Sequence, residues 1–366
     1  MKDFNLADLT RKQLREHFLE GNLKPFRGDQ VFDWINHKLS LDYNQMTNLS
    51  KELREQLQTL FPLKFPLKLL EHHTSSDGSI KFAFATEDGY PLESVLIPGS
   101  KNKGTFTICL STQSGCAMGC KFCSTARMGF GKNLETREIT FQVYQILLFL
   151  RQNGYQSDKP MEQWISNIVF MGMGEPLQNL DNLIDAVGIF TDSKGINFSR
   201  RKITISTCGL VPQIEKLFQQ EKINFKLAVS LNSADDQLRS KLMPINKKYP
   251  IEQLAAQLKK LKLPERDRIT IEYVLFSGLN DNSQAARKLS DLLKNIPVKI
   301  NLIPYNESTD KIFIDEIQLK APSELRISEF ARILRNNHYS VTVRRSYGQD
   351  IKAACGQLIQ NLKNSS

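Results

Sequence analysis

The sequence predicts an α/β protein built on a parallel sheet, with a small helical region ahead of it. Three observations lead there. From about residue 103, strand-like runs alternate with helical patterns six or so times, and parallel strands need such crossover helices. Residues 1–60 read mostly as short helices. Residues 62–100 read as strands with tight turns between them.

Taken in order, Leu14, Phe18 and Leu19 form a first apolar stripe, and Val31, Trp34 and Ile35 a second. Leu53, Leu57 and Leu60 form a third, with Gly21 and Gly28 as punctuation. Strands follow at Lys64–Glu71, Ile80–Ala85 and Leu92–Ile97, separated by the turns Ser76-Asp77-Gly78 and Asp88-Gly89. Core strands are expected at Thr105–Leu110, Ile168–Met171, Lys202–Ser206, Lys226–Leu231, Ile269–Phe276, Lys299–Ile303 and Val341–Arg344. Helical patterns fall at 138–152, 178–192, 211–219, 251–262, 282–295 and 323–337. A doubly wound sheet and an open or closed barrel both satisfy this alternation. The expected organisation is a helical accessory domain (1–62), a β-extension (63–102), a (βα) core (103–345) and a C-terminal loop with a tail helix (346–366). The last residues, Asn361–Ser366, are expected to fray.

Composition bounds the function. The chain has 366 residues, 40% hydrophobic and 24% charged, which is ordinary globular usage. No apolar run approaches the roughly 18 residues of a spanning helix, and the start MKDFNLADLTRKQ has no apolar leader core. A soluble, cytoplasmic protein is the expectation. Its 49 Lys and Arg against 39 Asp and Glu give a net charge of +10, which fits a polyanionic partner. Charge alone leaves a generically basic protein equally open. Basic clusters stand at Arg200-Arg201-Lys202, Lys247-Lys248, Lys259–Lys262 and Arg344-Arg345.

Six cysteines carry the chemistry: Cys109, Cys116, Cys120, Cys123, Cys208 and Cys355. In a reducing compartment they point to metal or redox work rather than to a disulfide framework. Cys116, Cys120 and Cys123 form a Cys-x3-Cys-x2-Cys run just after the first core strand. Structural zinc takes four closed ligands, and neither a second cysteine pair nor a histidine stands in this run. Three thiolates instead leave one corner of a [4Fe-4S] cube open to a substrate.

This run, with Phe122 before its last cysteine, resembles the radical S-adenosylmethionine (SAM) superfamily. Met171-Gly172-Met173-Gly174-Glu175-Pro176 resembles that superfamily's Gly-Gly-Glu element. The segments CSTARMGFGKNL, MGMGEPLQNL, SKLMPINKKYPIE, KINLIPYN and DIKAACGQL are similar to those of the RlmN/Cfr family of RNA adenine methyltransferases. Pro176, TIEYVLF and KINLIPYN favour its RlmN branch. The likeness spans residues 90–360 and the N-terminal region.

The resemblance implies a partial (βα)6-type barrel, a [4Fe-4S] cluster on Cys116, Cys120 and Cys123, and two SAM per turnover. It implies SAM contacts at Gly174, Glu175, Ser206, Ser230, Leu231, Asn232 and Asn306. Cys355 would be methylated by a first SAM, and a second would supply the radical that activates that methyl group. Glu93 would accept the adenine C2 proton, and Cys109 would release the product by forming a transient disulfide with Cys355. From the bare sequence, Cys109 and Cys355 read more readily as core cysteines, and Glu93 as a solvent-facing strand residue. Cys208 reads as packing. Asn232 departs from the histidine of many members, and the segments after Glu93 and Asn306 look longer than usual.

The family's targets are adenine 2503 of 23S rRNA and adenine 37 of tRNA. Its reductant would be a flavodoxin or ferredoxin, and the protein a monomer. Rival readings are a Cfr-like C8 methyltransferase, a radical SAM activase acting on protein, and a non-catalytic zinc-containing RNA-binding protein.

Overall fold

The computed structural model describes residues 5–99, 104–155, 163–219, 225–307 and 310–358. The expected tail helix lies outside the described residues. Three helices open the chain: α1 (Arg11–Glu20), α2 (Pro25–Asn36) and α3 (Lys51–Leu60). Each start is encoded locally. Thr10 and Gln13 form a capping box on α1, Pro25 occupies the first turn of α2, and the Ser50 hydroxyl caps α3.

An antiparallel ribbon follows, of β1 (Leu67–Thr74), β2 (Ile80–Thr86) and β3 (Pro91–Pro98). β1 starts later than expected, after Pro66, which has no N–H for a ladder. β3 pairs antiparallel with β4 (Phe106–Cys109), the first core strand. A small hairpin comes next: β5 (Gln113–Gly115) and β6 (Phe130–Asn133), with the short helix α4 (Ser124–Arg127) between them.

The core then alternates: α5 (Thr136–Gln152), β7 (Ile165–Phe170), α6 (Leu180–Thr191), β8 (Ile203–Thr207), α7 (Val211–Gln219) and β9 (Lys226–Ser230). α8 (Asp236–Leu242), α9 (Ile251–Lys260), β10 (Ile269–Leu275), α10 (Ser283–Leu292) and β11 (Val298–Pro304) continue it. A two-residue hairpin of β12 (Phe313–Ile314) and β13 (Ile317–Gln318) precedes α11 (Glu324–Asn336) and β14 (Ser340–Val343).

Among the described residues, one sheet runs in the order β1-β2-β3-β4-β7-β8-β9-β10-β11-β14 and is parallel from β4 onward. That order decides between the two architectures the sequence left open. A doubly wound sheet reverses its strand order at a switch point. Here every crossover steps the same way, so right-handed connections put the helices on one face. The other face curves inward as an open, partial barrel, with β1 and β14 at its two edges.

A continuous apolar core joins the opening helices to the barrel. It runs from Leu14, Phe18 and Phe32 through Phe84, Tyr144 and Phe190 to Tyr273 and Leu302. Polar ties reinforce the junction: the Tyr144 hydroxyl donates to Asn36 at 2.6 Å, and Arg11 pairs with Asp192 at 2.9 Å.

Candidate active site

The cysteine run occupies the loop between β5 and β6. The hairpin closes that loop, and the Cys116 N–H donates to Gly129 O at 2.9 Å. Gly115 makes the closure possible. Its φ is +72°, and a Cβ there would lie 1.9 Å from Gly129 O. Cys116, Cys120 and Cys123 line a cavity at the C-terminal ends of the core strands. Among the described residues, no three His, Cys, Asp or Glu side chains are arranged to hold a single metal ion. A lone zinc draws its thiolates to about 2.3 Å. Three thiols lining one cavity are a donor set that would suit an iron–sulfur cluster. Burial pushes the Cys116 thiol up to about 12 and raises Cys120 and Cys123 as well. Cationic iron, when bound, would offset that cost by stabilising the thiolates.

The same cavity is lined by Gly174, Glu175, Ser206, Ser230, Asn232, Asn306 and Cys355. The backbone of the Gly-x-Gly turn is wedged against β4's extension. A Cβ on Gly172 would meet Leu110 O at 2.7 Å, and one on Gly174 would meet the Gln113 side chain at 2.5 Å. Gln113 also accepts the Glu175 N–H at 2.8 Å. The Glu175 carboxylate accepts from Leu177 N–H and, at 2.7 Å, from Cys208 N–H. Burial raises its pKa, and those amides oppose the rise. A carboxylate has lone pairs to spare for an ammonium group.

Asn232 is 1% exposed and adopts φ +57°, a conformation asparagine tolerates. Its Oδ1 accepts from Val274 N–H at 2.9 Å and its Nδ2 donates to Met243 Sδ. Leu231 does not line the cavity. Its side chain is in the core, and its N–H donates to Glu272 O.

Cys355 is part-buried and reaches the cavity from the C-terminal segment. Asn306 Nδ2 donates to Cys355 O at 3.1 Å, and Ser124 N–H donates to Gly356 O at 2.8 Å. The segment is thereby tied to the cluster loop itself. At its other end, Asp350 accepts from the Ser75 hydroxyl and the Ser76 N–H, while Gly348 N–H donates to Asp77. Cys355 also lines a smaller cleft together with Cys109, Val95 and Arg344.

Cross-strand register explains that meeting. Ala83 pairs with Glu93, and Lys81 with Val95, which in turn pairs with Cys109. Paired residues share a face and alternate residues return to it. Glu93, Val95 and Cys109 therefore project from one face of the sheet, the face the Cys355 segment covers. The expectation of a solvent-facing Glu93 is overturned: it is 2% exposed. Cys109 is buried, and that burial pushes its thiol up to about 12, while Arg344 pulls the other way. Glu93 lines neither the main cavity nor the smaller cleft.

Arg344 differs from its sequence reading as half of a basic surface pair. It turns inward, 3.9 Å from Glu272, and Cys355 and Glu272 raise its pKa. Arg345 faces outward, its side chain 87% exposed. Sequence reasoning also passed over Lys81, Gln113 and Arg239. Lys81 stands among apolar residues in SIKFAFA, which is a readable signal for a buried charge. Cys208 is buried and engages Glu175 through its backbone.

Two family models match the chain. Ribosomal RNA large subunit methyltransferase N-terminal domain covers residues 4–62, and Radical SAM superfamily covers residues 110–289. The chain is 42% identical over 98% of its length to the dual-specificity RNA methyltransferase RlmN of Desulfosudis oleivorans, and covers 91% of it. The chain belongs to the RlmN family of radical SAM methyltransferases. A crystal structure of a radical SAM methyltransferase from Sphaerobacter thermophilus superposes with a TM-score of 0.85 at 40% identity, covering 97% of this chain and 98% of that one. RlmN family membership makes the protein an enzyme that uses a [4Fe-4S] cluster and SAM. No described helix is long and apolar enough to cross a membrane.

Proposed function

We propose that this enzyme methylates C2 of an adenine in RNA, with the methyl group carried on Cys355. One observation carries the reading: the Cys355 segment is bound to the cysteine-cluster loop while covering the sheet face that holds Cys109 and Glu93. Adenine C2 is electron-poor and has no acidic proton, so polar methyl transfer is blocked there. When bound, the cluster and SAM supply the methyl group and one-electron chemistry that avoids this block.

The protein's own side chains do the rest. Cys116, Cys120 and Cys123 would hold the cluster, and Gly174, Glu175, Ser206, Ser230, Asn232 and Asn306 would hold SAM, with Leu231 packed in the core behind them. Asn306 fixes the Cys355 backbone at the cavity. The Cys355 thiolate is the nucleophile that would take the methyl group from SAM, S-adenosylhomocysteine leaving, and it carries that carbon to the base as a thioether. Glu93 accepts the C2 proton. The Cys109 thiolate attacks the Cys355 sulfur, and the sulfur–carbon bond to the base breaks. Its electron pair goes to the methylene carbon, which takes a proton and becomes the product methyl group, and a disulfide is left. The two thiols line one cleft, as that exchange requires.

The substrates are ribosomal and transfer RNA, matching the dual specificity in the relative's name. A base must leave its stack to enter the cavity, so the target is a loop nucleotide. Residues 1–62 form the RNA-binding accessory part, 63–102 the β-extension, 103–345 the barrel and 346–366 the Cys355 segment. The reductant is a low-potential flavodoxin or ferredoxin, and the enzyme works as a cytoplasmic monomer.

The test is anaerobic reconstitution with SAM, a reductant and RNA, then digestion and nucleoside mass spectrometry. The expected product is 2-methyladenosine, absent with Cys355→Ala although iron and sulfide stay bound. An 8-methyladenosine product, or full turnover by Cys355→Ala, would overturn the reading.

A further inference from the structure

The β-extension holds a buried charge pair that the assigned roles do not use. Lys81 Nζ on β2 lies 3.3 Å from Glu93 Oε1 on β3, with side chains 10% and 3% exposed. The second oxygen, Glu93 Oε2, is buried with no hydrogen-bond partner among the described residues. A buried carboxylate oxygen left unpaired is costly and calls for a role.

We propose that Lys81 is a positioning residue that anchors Glu93 through Oε1 and leaves Oε2 unpaired, to take the proton from the adenine adduct. The inference rests on the reading of Glu93 as the proton acceptor. In the step, the C2–H bond breaks and an Oε2–H bond forms. The electron pair of the broken bond stays with the adduct, and the Lys81 ammonium keeps its own protons.

The surroundings fit this division of labour. Glu71 and His73 face the pair from β1, where they contact each other at 3.3 Å, and Cys109 shares the face from β4. Ala83, opposite Glu93, offers no hydrogen bond to its carboxylate. Burial outweighs the pulls of Lys81 and, more weakly, His73, and with a smaller upward push from Glu71 it leaves the Glu93 carboxyl raised to about 7. A base poised near the working pH is the useful kind. Removing Lys81 would take away the larger of the pulls opposing burial, and the acid form would prevail at neutral pH.

The experiment measures RNA methylation against pH in the reconstituted enzyme. Infrared difference titration of the Glu93 carboxyl in the full-length chain accompanies it, with the band assigned by its loss in Glu93→Gln. In Lys81→Met the acid limb and the carboxyl midpoint both move up by about 1–3 pH units. Methylation then falls at least about fivefold at pH 7 and recovers at higher pH. Lys81→Arg restores the original limb. Methyl loading of Cys355, read by intact-protein mass, stays unchanged because it precedes proton removal. Lys81→Gln serves with the same readouts if the Met variant does not fold. A carboxyl midpoint identical to wild type, or a pH-independent loss that Arg does not rescue, overturns the proposal. Normal turnover by Glu93→Gln overturns the proton-acceptor reading itself. It is told apart because the Lys81 variants then shift the carboxyl titration without shifting the pH profile.

Discussion

Gly115 shows how one residue fixes a metal site without touching the metal. Its left-handed φ alone costs a substituted side chain about 1–3 kcal/mol. The 1.9 Å approach to Gly129 O adds a clash that only opening the β5–β6 hairpin relieves. Gly115→Ala is therefore expected to cut iron per chain several-fold while far-UV dichroism stays native. Full iron content would refute the account. Arg239 is the second case. It is fully buried and donates to Leu231 O, Cys208 O, Ser230 O and the Asn246 side chain. These groups lie where β8 and β9 end at the cavity, so the guanidinium is a strut between strand ends. Desolvation lowers its pKa, but arginine stays charged. Arg239→Met strands several buried acceptors at about 1–3 kcal/mol each. A loss on the order of 3 kcal/mol or more in denaturant unfolding is expected, and a negligible one would refute the strut. The cysteine spacing was legible because ligand geometry is local in sequence. Arg239, Lys81 and Gln113 were not, because their roles arise from neighbours brought in by other strands.

The Cys355 segment is an element without regular structure, held at two ends by hydrogen bonds. Asn306 and the cluster loop grip the cysteine end, while the β1–β2 turn grips Gly348 and Asp350. The second grip depends on ionised carboxylates. The Ser75 hydroxyl and Ser76 N–H lower the Asp350 pKa. Burial would raise the Asp77 carboxyl, but N–H groups of Gly348 and Ser79 outweigh it and lower it. Depressed folded values mean the grip is fully present above the ordinary carboxylate pKa, near 3.9, and is lost as pH falls through the folded values. Hydrogen exchange across 346–358 is therefore expected to quicken below about pH 4, ahead of the barrel strands. Asp350→Ala should give the faster exchange already at neutral pH, with barrel exchange unchanged. Equal protection in the variant would mean the turn does not hold the segment. The tie was invisible in sequence because its partners stand some 275 residues apart. The long strand–helix alternation was legible, since each element carries its own periodicity. α8 and the β5–β6 hairpin were too short to show one.

At the scale of the molecule, strand order and core continuity decide what the parts can do alone. Sequence periodicity marked the strands but not their order, because pairing partners are chosen by packing rather than by local pattern. The observed order turns the crossover helices outward and leaves the inner face to the cavity, the cluster loop with α4, and the Cys355 segment. On the outer side, α1 and α2 do not hang from the barrel as a separate bead. Leu14, Phe18, Val31 and Phe32 join the same core as Tyr144 and Phe190 on α5 and α6. Tyr144 also sends its hydroxyl to Asn36, and Arg137 pairs with Asp8 at 3.2 Å. Removing residues 1–62 would thus expose an apolar helix face and leave the buried Tyr144 hydroxyl without Asn36, while Arg137 would lose Asp8 and keep Glu135 and Glu87. Each orphaned polar group costs about 1–3 kcal/mol, against a total stability of only about 5–15 kcal/mol for a domain. The chain beginning at residue 63 is therefore expected to be insoluble or to melt at least about 10 °C below the whole protein. A truncated chain that melts with the parent and merely loses RNA affinity would show that the opening helices bind substrate without supporting the barrel.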